Sequence, residues 1–372
     1  MTLSGWRDLG ELRVGDQVAT ARSGSDIYWD RIVSIEPAGG KETFDLQIEG
    51  DHNFVANHFV VHNSHSASFA LLVYTSSWIK HYEPAAFCAA LLNSQPMGFY
   101  APAQLVRDAR AHGVEVRAAS AEASAWDSTL ERRDDGRPAL RLGLRLVRRL
   151  SEEGARRLIA ARAVRSFADI TDLAERAALD RRDLEALAAS DALAGVAGHR
   201  YRAFWQVSGV ERALPLLGAD TAVPEGIPLL RAPREGHDIV ADYGSLGLSL
   251  RRHPLALLRK RLEARGIVTT AALWDLPTGR RVTTAGMVIT RQRPGSASGV
   301  TFVTMEDETG HVNLIVWKRV AEEQRAALLE SRLLEVRGAL QREGDVLHVI
   351  AQRLTDLSAL LGELAFESRD FR

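Results

Sequence analysis

Asp51-His52-Asn53-Phe54-Val55-Ala56-Asn57-His58-Phe59-Val60-Val61-His62-Asn63-Ser64 is the stretch at which the chain changes character. Before it, the sequence reads as strands. Phe44, Leu46 and Ile48 alternate with Asp45, Gln47 and Glu49, the period of a half-buried strand. The run 28–35 is β-branched and aromatic, and Gly39-Gly40 supplies a hairpin turn between the two. Inside the quoted stretch, Val55 and the run 59–61 predict a further strand pair joined at Asn57-His58. Residues 1–63 are thus expected to form a small all-β unit.

After Ser64 the chain turns rich in Ala, Leu and Arg. Apolar spacing predicts helices over 66–94, 102–112 and 151–163, then a set over 170–207 with Asp180 as an N-cap. Pro, Gly and loop residues dominate 214–242, which reads as a linker, and a helix over 255–264 follows. Strand texture returns over 282–290, 300–305, 312–317, 333–340 and 346–351, with a short helix over 320–329. Five strands with a helix after the third is the order of an OB-fold barrel. A terminal helix is expected over 357–366, with the last few residues frayed.

The chain has 372 residues, enough for two or three domains with their own cores. A formal net charge of -1 means that no global basic field advertises nucleic acid, so such contacts must come from local patches. Cys88 is the single cysteine, which excludes a disulfide framework and a cysteine-based zinc site. It lies in an apolar run and reads as a small packed side chain. With no signal peptide at the start and no span long enough for a bilayer, the expectation is a soluble, cytoplasmic protein.

The quoted stretch resembles the carboxy-terminal motifs of inteins, which end in His-Asn before Ser, Thr or Cys. The residue types suit the chemistry. The Asn63 side-chain amide can attack its own backbone carbonyl, forming a succinimide and breaking the next peptide bond. His62 can polarise that carbonyl or protonate the leaving amine. Ser64 offers the hydroxyl that accepts an acyl group as an ester, which then rearranges to an amide. His52 stands where the family has a second assisting histidine. The segments 6–18, 28–37 and 43–64 all look like successive parts of one mini-intein, an all-β Hint-type fold. His58 departs from the Gly or Asp usual in the tight turn. A complete intein starts with a Cys or Ser nucleophile and an early Thr-x-x-His motif, and neither precedes Trp6. The expectation is the downstream partner of a split intein, with a separate upstream chain carrying the amino-terminal half.

Residues 64–74, then Trp78-Ile79-Lys80-His81-Tyr82, resemble the fingers of C-family DNA polymerase alpha subunits, and the run 91–100 looks like their error-prone branch. The similarity continues through Leu246-Gly247-Leu248-Ser249-Leu250 and His253-Pro254-Leu255 to about residue 360. It implies an intein segment over 1–63, the end of the fingers over 64–115, a helix-hairpin-helix region over 116–210, a connection over 211–275, an OB-fold over 276–356 and a tail over 357–372.

Helix-hairpin-helix modules use Gly-x-Gly to bring backbone N–H groups to a phosphate. Here the hairpin reads Val147-Arg148-Arg149-Leu150-Ser151 without either glycine. Arg148 and Arg149 are either side-chain phosphate contacts or a solvated face. In the OB segment, Arg291, Arg293 and Lys318 are candidate cations, and Phe302 and Trp317 are either stacking platforms or barrel core. Glu306-Asp307-Glu308 invites a metal reading, set aside because consecutive strand residues point to opposite faces. His65 and Lys80 are candidate nucleotide or template contacts, with a solvent-facing helix position as the other reading of Lys80.

The resemblance implies DNA-directed DNA polymerase function in replication and damage-tolerant repair synthesis, with Mg²⁺ in the complete enzyme. The palm aspartates that would hold that Mg²⁺ lie upstream in the family, so this chain is expected to be inactive until joined to an upstream polymerase chain. DNA, the sliding clamp and other mutagenesis proteins are the remaining implied partners. Two other readings stand beside this one: a non-catalytic DNA-binding remnant, and a chain whose only chemistry is cleavage at Asn63.

Overall fold

The computed structural model describes residues 7, 9–21, 27–36, 53–56, 59–62, 66–97, 100–210, 228–294, 299–344, 346–362, 364 and 369–371. Two compact units divide the chain, Met1–Trp78 and Ile79–Arg372.

The first unit holds a four-stranded antiparallel sheet in the order β2-β1-β4-β3, with β1 Gln17–Ala21, β2 Ile27–Arg31, β3 Asn53–Ala56 and β4 Phe59–His62. β1 is central, and its Val18, Ala19 and Thr20 are buried. The β3–β4 hairpin pairs Asn53 with His62 and Ala56 with Phe59, as the alternation around Asn57-His58 predicts. The expected strand around 44–48 and the Gly39-Gly40 turn lie outside the described residues.

Helix α1 Ser66–Tyr82 runs across the division between the units, and α2 Pro84–Asn93 follows it. The single helix predicted over 66–94 is therefore broken at Glu83. Pro84 has no N–H for the preceding turn and its ring clashes there, whereas the first position of a new helix tolerates both. Pro102 opens α3 Pro102–Ala111 in the same way.

A small sheet missed by the periodicity comes next: β5 Val116–Arg117, β6 Thr129–Arg132 and β7 Pro138–Arg141, in the order β5-β7-β6. Its hairpin turns at Asp135-Gly136, where Gly136 has φ +78°. The helical body is then completed by α4 Glu152–Val164, α5 Ile170–Arg176, α6 Arg181–Ala189, α7 Ala194–Ala197 and α8 Arg200–Ser208. Side-chain caps start α4, α5 and α6. Ser151 accepts from Gly154 N, Asp169 from Asp172 N, and Asp180 from Asp183 N, as predicted for Asp180. One core joins α2 to α8, with Leu92, Leu140, Leu142, Leu158, Leu173, Leu187 and Leu193 fully buried. Cys88 belongs to it. Burial, with Asp108 adding, pushes its thiol up to about 12, so it stays a protonated packing group.

The stretch read as a linker to residue 242 contains α9 Glu235–Leu246 from its second half onward; residues 211–227 are outside the described set. α10 Pro254–Glu263 and α11 Thr270–Leu273 lead into the barrel. Its strands are β8 Arg281–Gln292, β9 Thr301–Asp307 and β10 Gly310–Val316, then, after α12 Lys318–Glu323 and α13 Arg325–Glu330, β11 Leu333–Glu343 and β12 Val346–Asp356. The order β11-β12-β10-β9-β8 closes through β11–β8 pairing, giving a five-stranded barrel of OB-fold order. Gly338 sits at a register shift in β11, where a Cβ would lie 2.2 Å from Ile350 O, so only glycine fits.

The predicted terminal helix is instead a 3-10 turn, Ser358–Leu361, ended by Gly362 at φ +57°. Strand β13 Arg369–Phe371 then pairs in parallel with β8. Leu357, Leu361 and Leu364 pack with Ile239, Leu255, Leu262 and Met287, which ties α9 and α10 to the barrel.

Candidate nucleic-acid interface

Over residues 301–305 of β9, over β10 and over 347–351 of β12, strand alternation separates two faces of the barrel. Val303, Met305, Val312, Leu314, Val316, Val349 and Ala351 fill the interior. The register places their neighbours side by side on the outside: Phe302 opposite Ile315, Ile315 beside Ile350, and Ile350 opposite Ala339. These four are half-buried. The next row is polar, with Thr304, Asn313, His348 and Gln341 in register. The Thr304 hydroxyl donates to Asn313 Oδ1 at 2.8 Å, which leaves the Asn313 amide N–H groups as donors. His348 Nδ1 is buried and has no hydrogen-bond partner among the described residues. An apolar row beside a row of unsaturated polar groups can stack a base and read its edge.

Two cations border this face. Arg293 and Lys318 are exposed and converge on Gly299: a Cβ there would lie 3.1 Å from Lys318 Cδ and 3.5 Å from Arg293 Nη2. Gly299 has φ +83°, so it meets both the conformational and the spatial requirement. Lys318 is 3.9 Å from Glu322, a loose exposed pair that a phosphate can displace. Trp317 is 54% exposed at the start of α12, which places it outside the barrel core. Phe302 and Trp317 thus stand on the outside, where stacking is possible. Ile315, Ile350, Asn313 and His348 were not singled out from the sequence, although their alternation in phase with Phe302 carried the signal.

Arg291 is a correction. It is buried, and its guanidinium donates from Nε to Leu328 O at 2.6 Å and from Nη2 to Ser331 O at 2.5 Å. It holds the end of α13 against β8 and does not face a strand of nucleic acid.

In the hairpin before α4, Arg149 has φ +70°, the left-handed conformation that a glycine would take without strain. That one position therefore keeps a glycine-type backbone although the residue is arginine. Arg149 is exposed and carries no partner among the described residues, so it can meet a phosphate. Arg148 is committed elsewhere: its Nη1 donates to Gly244 O at 3.2 Å and Tyr243 O at 3.4 Å near the end of α9. The start of α4 is also acidic. Glu152 and Glu153 occupy its first turn, paired with Arg156 and Arg157. Ser151 is fixed by Asp183, which accepts from Ser151 N and Oγ at 2.8 Å each. Gly154 permits that approach, since a Cβ there would fall 2.1 Å from Asp183 Oδ2.

The acidic triple does not fit a metal. Glu306 faces Arg107 and, at 3.2 Å, His253 Nε2. Asp307 accepts from Thr270 N at 2.7 Å and from Thr309 N at 2.8 Å. Glu308 takes both Nε and Nη2 of Arg259. Glu306 and Asp307 are both buried, so strand alternation is not what separates them from a cation; their pairing is. Among the described residues no group of three or more His, Cys, Asp or Glu side chains could hold a metal ion.

Lys80 pairs with Asp108 at 3.0 Å. His52, Asn63, Ser64 and His65 lie outside the described residues, and of His62 only the backbone is described, at the end of β4. No described helix is long and apolar enough to cross a membrane.

Three family models match the chain: an intein splicing domain over residues 6–63, a helix-hairpin-helix motif over 113–203, and an OB-fold nucleic acid binding domain over 282–357. The sequence relatives are error-prone DNA polymerases. That of Alkalilimnicola ehrlichii is 60% identical over 308 residues, covering 83% of this chain and 30% of the relative. That of Methylococcus capsulatus is 53% identical over 327 residues, covering 83% and 31%. That of an Azoarcus species is 55% identical over 313 residues, covering 83% and 29%. The chain thus spans about 30% of the length of these relatives.

Proposed function

We propose that residues 64–372 form the DNA-binding carboxy-terminal region of an error-prone DNA polymerase, and that residues 1–63 splice it onto an upstream polymerase segment at Asn63/Ser64. The observation that supports this reading is where the splicing match ends. The splicing match ends at residue 63, immediately before Ser64, and the share of the chain left uncovered by the polymerases is about its length.

The chemistry follows from the residue types. The acyl group of the upstream segment, carried as a thioester or ester on the Cys or Ser that opens the splicing domain, passes to the Ser64 hydroxyl as an ester and releases that residue as its thiol or alcohol. Asn63 Nδ2 then attacks the Asn63 carbonyl carbon. The peptide bond to Ser64 breaks, the splicing segment leaves as a succinimide, and the freed Ser64 amine receives its proton from imidazole. His62 adjoins that bond in sequence, and His52 adjoins the β3 position that pairs with His62. The ester finally shifts to the Ser64 nitrogen, leaving a peptide bond.

In the joined polymerase the outer barrel face, with Phe302, Trp317, Arg293 and Lys318, holds single-stranded template, and Arg149 adds a phosphate contact. Polymerisation needs the upstream segment and its Mg²⁺; Lys80 and His65 contribute at most secondary contacts near the joint. Intact mass after incubation with an upstream half tests the junction. The expected result is a spliced product and a released segment ending in succinimide or Asn. Asn63→Ala should abolish both, and unchanged products in that variant would refute the splicing part. Fluorescence anisotropy with a labelled oligo-dT tests the barrel. No binding at low salt would refute the DNA part.

A further inference from the structure

We infer that α1 is a docking helix whose occupant is the polymerase segment preceding residue 64, and that this contact forms before any bond joins the two. The inference rests on the polymerase reading above. Its starting point is a helix without a solvent face. From Ser66 to Ile79 no residue is charged, and the run includes Phe69, Leu71, Leu72, Val73, Tyr74 and Trp78. Five of those fourteen residues are Ser or Thr and the rest are apolar, so the helix has no charged face to turn to water and suits the inside of a larger body. Yet every residue from Leu72 to Trp78 is exposed, two full turns, with Leu72 at 58%, Val73 at 60% and Tyr74 at 69%. The exposed apolar side chains Leu72, Val73, Tyr74 and Trp78, interrupted by Thr75, Ser76 and Ser77, mark an interaction site.

Three occupants compete. A second copy of the chain packed about a two-fold axis covers one stripe of a helix and leaves the opposite face in water. A bilayer needs about 20 apolar residues, more than this uncharged run supplies. An enclosing protein segment covers all faces. Such a segment exists in the relatives, of which this chain spans only 30%. α1 also begins two residues after Ser64, just past the end of the splicing match at residue 63. Docking of α1 would therefore carry the acceptor hydroxyl of Ser64 to the segment that donates the acyl group. That raises the effective concentration of the two reacting ends without any contact in the splicing domain.

The test uses the full chain with Asn63→Ala, so that no cleavage intervenes, and the part of the Alkalilimnicola ehrlichii polymerase outside the match, produced without any splicing sequence. Because that probe carries no intein half, association reports docking alone, and a failure of splicing cannot mimic a failure of docking. Size-exclusion chromatography with light scattering should show a one-to-one complex. Leu72→Asp combined with Tyr74→Asp should weaken it at least ten-fold, with melting of the full chain unchanged because both side chains are exposed. Arg156→Glu, on an exposed helix face of the helical body, should leave it intact. The inference is overturned if no complex forms, if the complex ignores the α1 substitutions, or if the chain alone is a dimer that those substitutions dissociate.

Discussion

Arg149 is the residue at which strain and contact meet. A non-glycine residue in the left-handed region costs about 1 kcal/mol, while glycine loses part of that gain through its freer unfolded chain. Arg149→Gly should therefore stabilise the protein by roughly 0.5 kcal/mol, read from the urea midpoint, while weakening single-strand binding by one cationic contact. Opposite signs in the two measurements are the expected signature; a destabilised variant would contradict the backbone argument. The pair Arg291 and Arg293 separates structure from binding in the complementary way. Arg291→Ala leaves two carbonyls without donors and should destabilise the barrel by about 1–3 kcal/mol. Arg293→Ala or Lys318→Ala should leave stability unchanged and reduce the salt slope of single-strand binding by about 0.7 each.

At the scale of elements, the barrel was the most legible part of the sequence and Arg291 shows where legibility stopped. All five strands follow from strand-type patterning, and the single helix expected over 320–329 is found as two short ones, α12 and α13. The side of Arg291 does not, because β8 shifts register between Val288 and Thr290 against β9. That shift reverses the phase, so Arg291 falls opposite inward-facing Val303 and turns inside. The sheet of β5, β6 and β7 was hidden because β5 has two residues and cannot show a period, although Asp135-Gly136 marked its hairpin. α9 was hidden by Gly236, Asp238 and Gly244, which lower its intrinsic helix propensity. Tertiary charge pairing compensates. Buried Arg200 donates to Asp238, and to Asp242 Oδ1 at 2.5 Å, while Arg251 reaches Asp242 at 2.9 Å and Asp191 at 2.9 Å. Arg200→Ala leaves two carboxylates short of their partner in the interior and should cost about 3–5 kcal/mol. The loss should show first as exchange of the α9 amides.

For the molecule as a whole, the helical body and the barrel meet through charges as well as apolar packing, and His253 makes that junction sensitive to acid. His253 caps α10 by accepting from Leu255 N at Nδ1, 3.2 Å away, while its Nε2 faces Glu306. A cap acceptor must be unprotonated, so the neutral ring suits Nδ1, while Nε2 makes no hydrogen bond among the described residues. Burial first, then the positive charge of Arg107, lowers its pKa from 6.5 to about 4; His311 acts in the same direction, and Glu308 and Asp307 oppose it. Glu306 does not rescue the protonated form because Arg107 already faces it. The folded pKa lies below the unfolded one, so the unfolded chain binds the extra proton across that interval. The contribution is complete above pH 6.5 and is lost as pH falls towards about 4. Between pH 7 and pH 5 this one group should remove about 2 kcal/mol of stability. His253→Asn keeps a cap acceptor that does not titrate, so its urea midpoint should change less over the same interval by that amount. Parallel pH profiles for the two proteins would show that the junction senses acid through some other group.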